Sequence, residues 1–216
     1  RDVAATVAQI RRLSAAGCEI VRVAVPDSDA ARAIAAIRPQ IDLPLIADIH
    51  FDHRLALSAI EAGIHAIRIN PGNIGDRSKV VRVAEAAQKA GIPLRVGANS
   101  GSLAKRVKSL PMAEALVESA WEEVQQLTAC GFETLKISLK ASNARDTIAA
   151  YRLMAQRADY PLHIGLTEAG TVRSGSIRSA AALGVLLEEG IGDTLRISLS
   201  GDPVEEVFVA KKLLST

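Results

Sequence analysis

Four times in this sequence a helix-like stretch stops at a glycine just before a short strand-like run: at Ala16-Gly17, Ala62-Gly63, Ala90-Gly91 and Cys130-Gly131. A glycine there suits the left-handed residue that closes a helix, so each pair marks a helix end followed by a strand start. Strand-like runs occur at 19–25, 43–50, 65–70, 92–98, 133–139, 161–166 and 194–199. Helical spacing fills 2–16, 27–37, 52–62, 78–90, 112–129, 143–157, 175–189 and 203–214, with Asp2 placed to cap the first helix. The order is a helix, then a strand–helix unit repeated about seven times. Such alternation requires a parallel sheet with right-handed crossovers. Eight helices and seven strands predict an α/β fold, a (β/α)8 TIM barrel whose first strand lies upstream of Arg1 and is lacking from this chain. Residues 1–216 are then a single substrate-binding domain. The alternative is an open Rossmann-like sheet, but no GxGxxG follows any strand to support it.

Composition agrees with helices on both faces of a parallel sheet. Aliphatic residues must build the core, because 49% of the chain is hydrophobic and only 3% aromatic. A net charge of +2 with no basic tail gives no reason to expect nucleic acid as a partner. There is no signal-peptide pattern and no apolar run long enough to span a membrane. Cys18 and Cys130 stand far apart without a CxxC, which offers neither a disulfide framework nor a local metal motif and fits an intracellular, reducing setting. Both read as inert buried thiols at helix–strand junctions.

The strands carry the functional signal. Side chains alternate between faces along a strand. One set is apolar throughout: Val21, Val23 and Val25; Ile49; Ile67 and Ile69; Leu94 and Val96; Leu135, Ile137 and Leu139; Leu162 and Ile164; Leu195 and Ile197. The other set holds Arg22, Asp48 and His50, Arg68 and Asn70, Arg95 and Asn99, Lys136, Ser138 and Lys140, His163, and Arg196 and Ser198. The apolar set must face the helices, so the polar set faces the barrel axis, which ordinary barrels fill with branched apolar layers. Burying unpaired cations costs several kcal/mol each. Asp48 and Glu168 cannot neutralise Arg22, Arg68, Arg95, Lys136, Lys140 and Arg196, so an anionic ligand is the simplest missing partner. Arginine suits that role because its planar fork binds phosphate oxygens bidentately. The expected site lies near the strand C-termini, where barrels place their chemistry.

Other residues are open to two readings. Asp48 with His50 is an acid–base pair or a satisfied core pair. His163 reads as a packing histidine, and His53 and His65 as peripheral. Lys140 could form a Schiff base, but its cationic neighbours favour a phosphate contact. Glu168 is a candidate proton donor or the partner of an arginine. The loop from Asn70 to Gly75 could present backbone N–H groups to a phosphate or be an ordinary tight turn.

The runs EIVRVAVP (19–26), ADIHFDHRLAL (47–57), RINPGNIG (68–75), RVGANSGSL (95–103), KISLKAS (136–142), GLTEAG (165–170) and EEGIGDTLRISLSGDPVEEV (188–207) closely resemble the 4-hydroxy-3-methylbut-2-enyl diphosphate synthase family, in order and over the whole chain. The resemblance implies an oxidoreductase of isoprenoid biosynthesis by the methylerythritol phosphate route, bacterial and cytoplasmic. It reductively opens 2-C-methyl-D-erythritol 2,4-cyclodiphosphate and removes a hydroxyl as water, with two electrons arriving through a [4Fe-4S] cluster from flavodoxin or ferredoxin. It further implies a homodimer, with the cluster held by three Cys and one Glu of a C-terminal domain that is not in this chain; no metal ligand is expected here. Carried over by motif, Arg22, Asp48, His50, Arg68, Asn70, Arg95, Asn99, Lys140, Arg196 and Ser198 bind substrate and Glu168 serves catalysis. The segment 104–111 is shorter than in many members, and this chain alone is expected to be inactive. Two other classes stay open: a Schiff-base aldolase or phosphosugar isomerase using Lys140, and a non-catalytic anion-binding module.

Overall fold

The structure is a computed structural model and describes residues 2–74, 76–103 and 105–215. Gly75 and Ala104, which belong to the segments 70–75 and 104–111 noted above, lie outside the described residues. The chain divides into two compact units, Arg1–Val96 with Glu123–Leu135, and Gly97–Glu122 with Lys136–Thr216.

The first unit runs α1 (Val3–Ala15), β1 (Val21–Ala24), α2 (Ser28–Ile37), β2 (Leu45–Asp48), α3 (His53–Glu61), β3 (Ala66–Arg68), α4 (Pro71–Ile74), α5 (Arg77–Ala90) and the start of β4 (Leu94–Asn99). Its strands pair in parallel in chain order. Asp2, Asp27, Asp52 and Asp76 cap the four longer helices, each carboxylate accepting from a backbone N–H of the first turn. The four glycines at the expected helix ends all have positive φ. Between these limits the apolar parity packs inward. Leu45, Ala47, Ile49, Ile67, Ile69, Leu94 and Val96 are fully buried, as are the Ala- and Val-rich positions Val80, Val83, Ala84 and Ala87 of α5. One expectation changes: residues 71–74 form a single helical turn, because Asn70 O accepts from both Asn73 N–H and Ile74 N–H.

The second unit holds the end of β4, most of α6 (Met112–Thr128), β5 (Leu135–Lys140), α7 (Ala144–Arg157), β6 (His163–Ile164), α8 (Val172–Glu188), β7 (Thr194–Leu195) and α9 (Pro203–Leu214). Gly97 sits at φ 145°, and a Cβ there would stand 1.8 Å from Ser138 O, so only glycine lets β4 approach β5 at this point. β6 pairs with β7 in parallel through His163↔Thr194 and Ile164↔Leu195. These two strands are much shorter than the runs 161–166 and 194–199 suggest, and several backbone groups around them bond to other partners. Leu139 N–H and His163 O bond to the buried hydroxyl of Tyr151 on α7. Leu199 N–H donates to the Glu206 carboxylate on α9, and Ser200 N–H to Gly170 O. α8 starts three residues earlier than its hydrophobic spacing indicates, because Thr171 Oγ1 caps it by accepting from Ser174 N–H.

Candidate anion-binding site

In the first unit the parallel register sets Ala24, Asp48, Arg68 and Arg95 level with one another across four neighbouring strands. Residues so aligned project to the same face at strand spacings of roughly 4.8 Å. Arg68 Nη1 donates to Asp48 Oδ1 at 3.2 Å, and Arg22 Nη1, two residues earlier on β1, lies 3.4 Å from Asp48 Oδ2. His50 Nε2 is 3.5 Å from Asp48 Oδ1, and its Nδ1 is 3.4 Å from Arg68 Nη1. Asp48 and Arg95 are buried, Arg22 and Arg68 half-buried. The His50 side chain is 53% exposed, so the pair with Asp48 is not a core pair. Burial pushes the Asp48 carboxyl pKa up, but the charges of Arg22, Arg68, His50 and Arg95 together outweigh it and hold the group below its usual value. Asn70 lies half-buried two residues past Arg68.

In the second unit Lys140 ends β5 and is only 5% exposed. Its Cε passes 3.6 Å from the place a Cβ of Gly165 would occupy, and Arg196 O is 2.6 Å from that same place. Arg196 Nη2 donates to Ser198 Oγ at 3.4 Å. Asn99 is half-buried at the end of β4. Glu168 is exposed and takes φ 52°, the only positive φ outside glycine among the described residues. Its side chain makes no ion pair or hydrogen bond among the described residues, so the role as an arginine's partner is not the one seen. His163 is buried and shares a 2.9 Å contact between Nδ1 and Thr194 Oγ1, as a packing histidine would.

The structure thus brings together Arg22, Asp48, His50, Arg68 and Arg95 in one unit, and Arg196 with Ser198 in the other. Three supporting residues escaped the sequence reading: Tyr151, Glu206 and Gly165 as a space-maker. The available signal for Tyr151 was its place on the buried stripe Thr147, Ala150, Tyr151 and Met154, where a hydroxyl needs a partner.

Two peripheral expectations also shift. Cys18 and Cys130 are half-buried rather than buried, and their Sγ atoms donate to Ile20 O and Gln126 O. His65 accepts from Leu45 N–H at 3.0 Å and faces Arg38 Nη2 at 2.6 Å. Among the described residues no three His, Cys, Asp or Glu side chains gather as a metal site, and no helix is long and apolar enough to cross a membrane.

Residues 1–211 match the family model described as the GcpE TIM-barrel domain. A 4-hydroxy-3-methylbut-2-en-1-yl diphosphate synthase (flavodoxin) of Geobacter sulfurreducens is 58% identical over 99% of this chain and 62% of its own length. The protein of the same name from Acidithiobacillus ferrooxidans is 53% identical over 100% of the chain and 60% of its own length. The chain therefore spans about three fifths of the curated relatives it matches. Among solved structures, Yersinia pestis dihydropteroate synthase superposes with a TM-score of 0.67 at 14% identity, covering 99% of this chain and 88% of that one, a likeness of fold alone.

Proposed function

Because this chain belongs to the GcpE TIM-barrel domain family and has its α/β barrel fold, we propose that residues 1–216 act as one domain that holds the cyclic diphosphate substrate of a 4-hydroxy-3-methylbut-2-enyl diphosphate synthase. The reaction opens the ring of 2-C-methyl-D-erythritol 2,4-cyclodiphosphate with two electrons and releases a hydroxyl as water. The observation that carries this reading is the row Asp48, Arg68 and Arg95 with Arg22 beside it: the charges acting on Asp48 are all cationic. The carboxylate holds Arg22 and Arg68 in fixed directions. Pre-oriented guanidinium groups in a partly buried place bind phosphate oxygens without reorganising.

In the same reading Asn70, Asn99, Lys140, Arg196 and Ser198 contact the ligand, and His50 lies beside it. Glu168 is the catalytic residue: an exposed carboxyl in the loop after β6 can carry the proton that the departing hydroxyl needs to leave as water.

The chain's own residues do not fit the [4Fe-4S] cluster that the family implies. Cys18 donates to Ile20 O and Cys130 to Gln126 O, and among the described residues no three His, Cys, Asp or Glu side chains gather as a metal site. Cluster ligands would come from outside residues 1–216, in a homodimer fed by flavodoxin or ferredoxin in a bacterial cytoplasm. The test is turnover of the cyclodiphosphate by the full-length protein with reduced flavodoxin. Arg95→Gln should abolish it while the cluster's absorbance stays unchanged; undiminished turnover would refute the assignment.

A further inference from the structure

β5 and β6 meet at an isolated bridge, and a hydrogen bond that its register calls for is replaced by another. Ile137 pairs with Leu162, and Ile137 N–H donates to Pro161 O at 2.9 Å. Two residues on, a parallel ladder would send Leu139 N–H directly to His163 O. The Tyr151 hydroxyl stands between them instead, accepting from Leu139 N–H at 2.9 Å and donating to His163 O at 2.5 Å. Past this point Thr167 N–H donates to Ala141 O at 3.1 Å, the bond that the same register demands. One oxygen atom is spliced into the ladder, and it holds the two strands apart at that level.

The gap opens beside Lys140. That residue follows Leu139, so its side chain projects to the opposite face of the strand. Its Cε runs past Gly165, 3.6 Å from where a Cβ at 165 would stand, which is van der Waals contact. Because Lys140 is buried, packing rather than solvent decides its course.

We propose that Tyr151 is a positioning residue for anion binding: its hydroxyl wedges β5 from β6, sets the course of Lys140 over Gly165, and so fixes where the ammonium meets a phosphate. This rests on the diphosphate reading given above.

Tyr151→Phe keeps the ring and removes the wedge, so Leu139 N–H and His163 O can close on each other and displace Lys140. Calorimetric titration of the full-length protein with inorganic pyrophosphate should show Kd raised about tenfold, the scale of one misplaced charged hydrogen bond. In a Lys140→Gln background the same substitution should have no further effect, because the group it positions is gone. Equal losses in both backgrounds would mark Tyr151 as merely structural and overturn the proposal, as would unchanged affinity in Y151F. If Lys140→Gln alone left pyrophosphate affinity intact, the diphosphate reading of Lys140 would fail with it. Should Y151F not fold, Tyr151→para-aminophenylalanine restores a polar hydrogen-bonding group in the same slot. Wild-type affinity in that variant supports the wedge, and a tenfold loss there overturns it.

Discussion

Asp48 and Arg68 are Cα partners on neighbouring strands, and the guanidinium of one donates to the carboxylate of the other at 3.2 Å. Asp48→Asn keeps the shape and removes the charge, leaving Arg68 and Arg22 without that anion. Stability at pH 7 should fall by about 3 kcal/mol, the low end for breaking a buried ion pair, since Arg22 is partly solvated. The folded-state pKa of Asp48 lies below its ordinary 3.8, so this contribution is present above pH 3.8 and is lost as pH falls through the folded value. Urea unfolding should therefore show wild type and D48N converging in strong acid. Added pyrophosphate should stabilise D48N more than wild type, and the opposite order would argue against an anion at this place.

Arg95 is buried level with Arg68, and in the proposed site it would contribute its planar fork as much as its charge. Arg95→Lys should raise KM for the cyclodiphosphate about 10- to 100-fold, as expected for losing one charged hydrogen bond of a bidentate set. Steady-state kinetics on the full-length protein measures this, and a KM within twofold of wild type would contradict a bidentate role.

Glu168 combines a strained backbone with a proposed catalytic side chain. The two can be separated. Glu168→Gly should relieve the positive φ and raise stability by about 1 kcal/mol while turnover collapses. Glu168→Gln should leave the melting temperature unchanged and reduce kcat at least about 100-fold, the contribution typical of a positioned proton donor. Thermal melts paired with kinetics test both.

Gly97→Ala should cost more than about 3 kcal/mol, because its Cβ would overlap Ser138 O at 1.8 Å in a backbone conformation that alanine avoids. Chemical denaturation of the variant is the measurement. A loss below about 1 kcal/mol would mean that β4 and β5 can separate freely here.

His65 predicts a second, milder acid dependence. Burial and the nearby Arg38 charge hold its pKa below the ordinary 6.5, so the unfolded chain binds the proton more readily. Its stabilising contribution is complete above pH 6.5 and is lost as pH falls below it. Between pH 7.5 and 5 the urea midpoint of wild type should fall, and that of His65→Gln should fall less; parallel curves would exclude His65 as the cause.

The parity of the strands was legible in sequence because helices on the outer faces force every second residue to be apolar: Ile67 and Ile69 against Arg68 and Asn70 is enough to assign the faces. What parity cannot give is register. That Asp48, Arg68 and Arg95 stand level depends on how three separate strands align, which no local pattern states. The true ends of β6 and β7 were hidden for a related reason. Tyr151 and Glu206 bond backbone groups in or beside these runs from helices in other stretches of chain, and no local pattern announces such partners. The half-exposure of Cys18 and Cys130 was likewise invisible, since a junction residue can lie on either side of the surface.

Glu206 reaches from the first turn of α9 to hold Leu199 N–H, next to the proposed ligand contact Ser198. The position of this stretch therefore depends partly on a helix that supplies none of the proposed ligand contacts. Drift in the outer layer can shift the position of Ser198 by tenths of an ångström without replacing any contacting side chain. Natural variants of such a barrel have a way to adjust affinity by small inherited steps while the binding residues themselves stay constant.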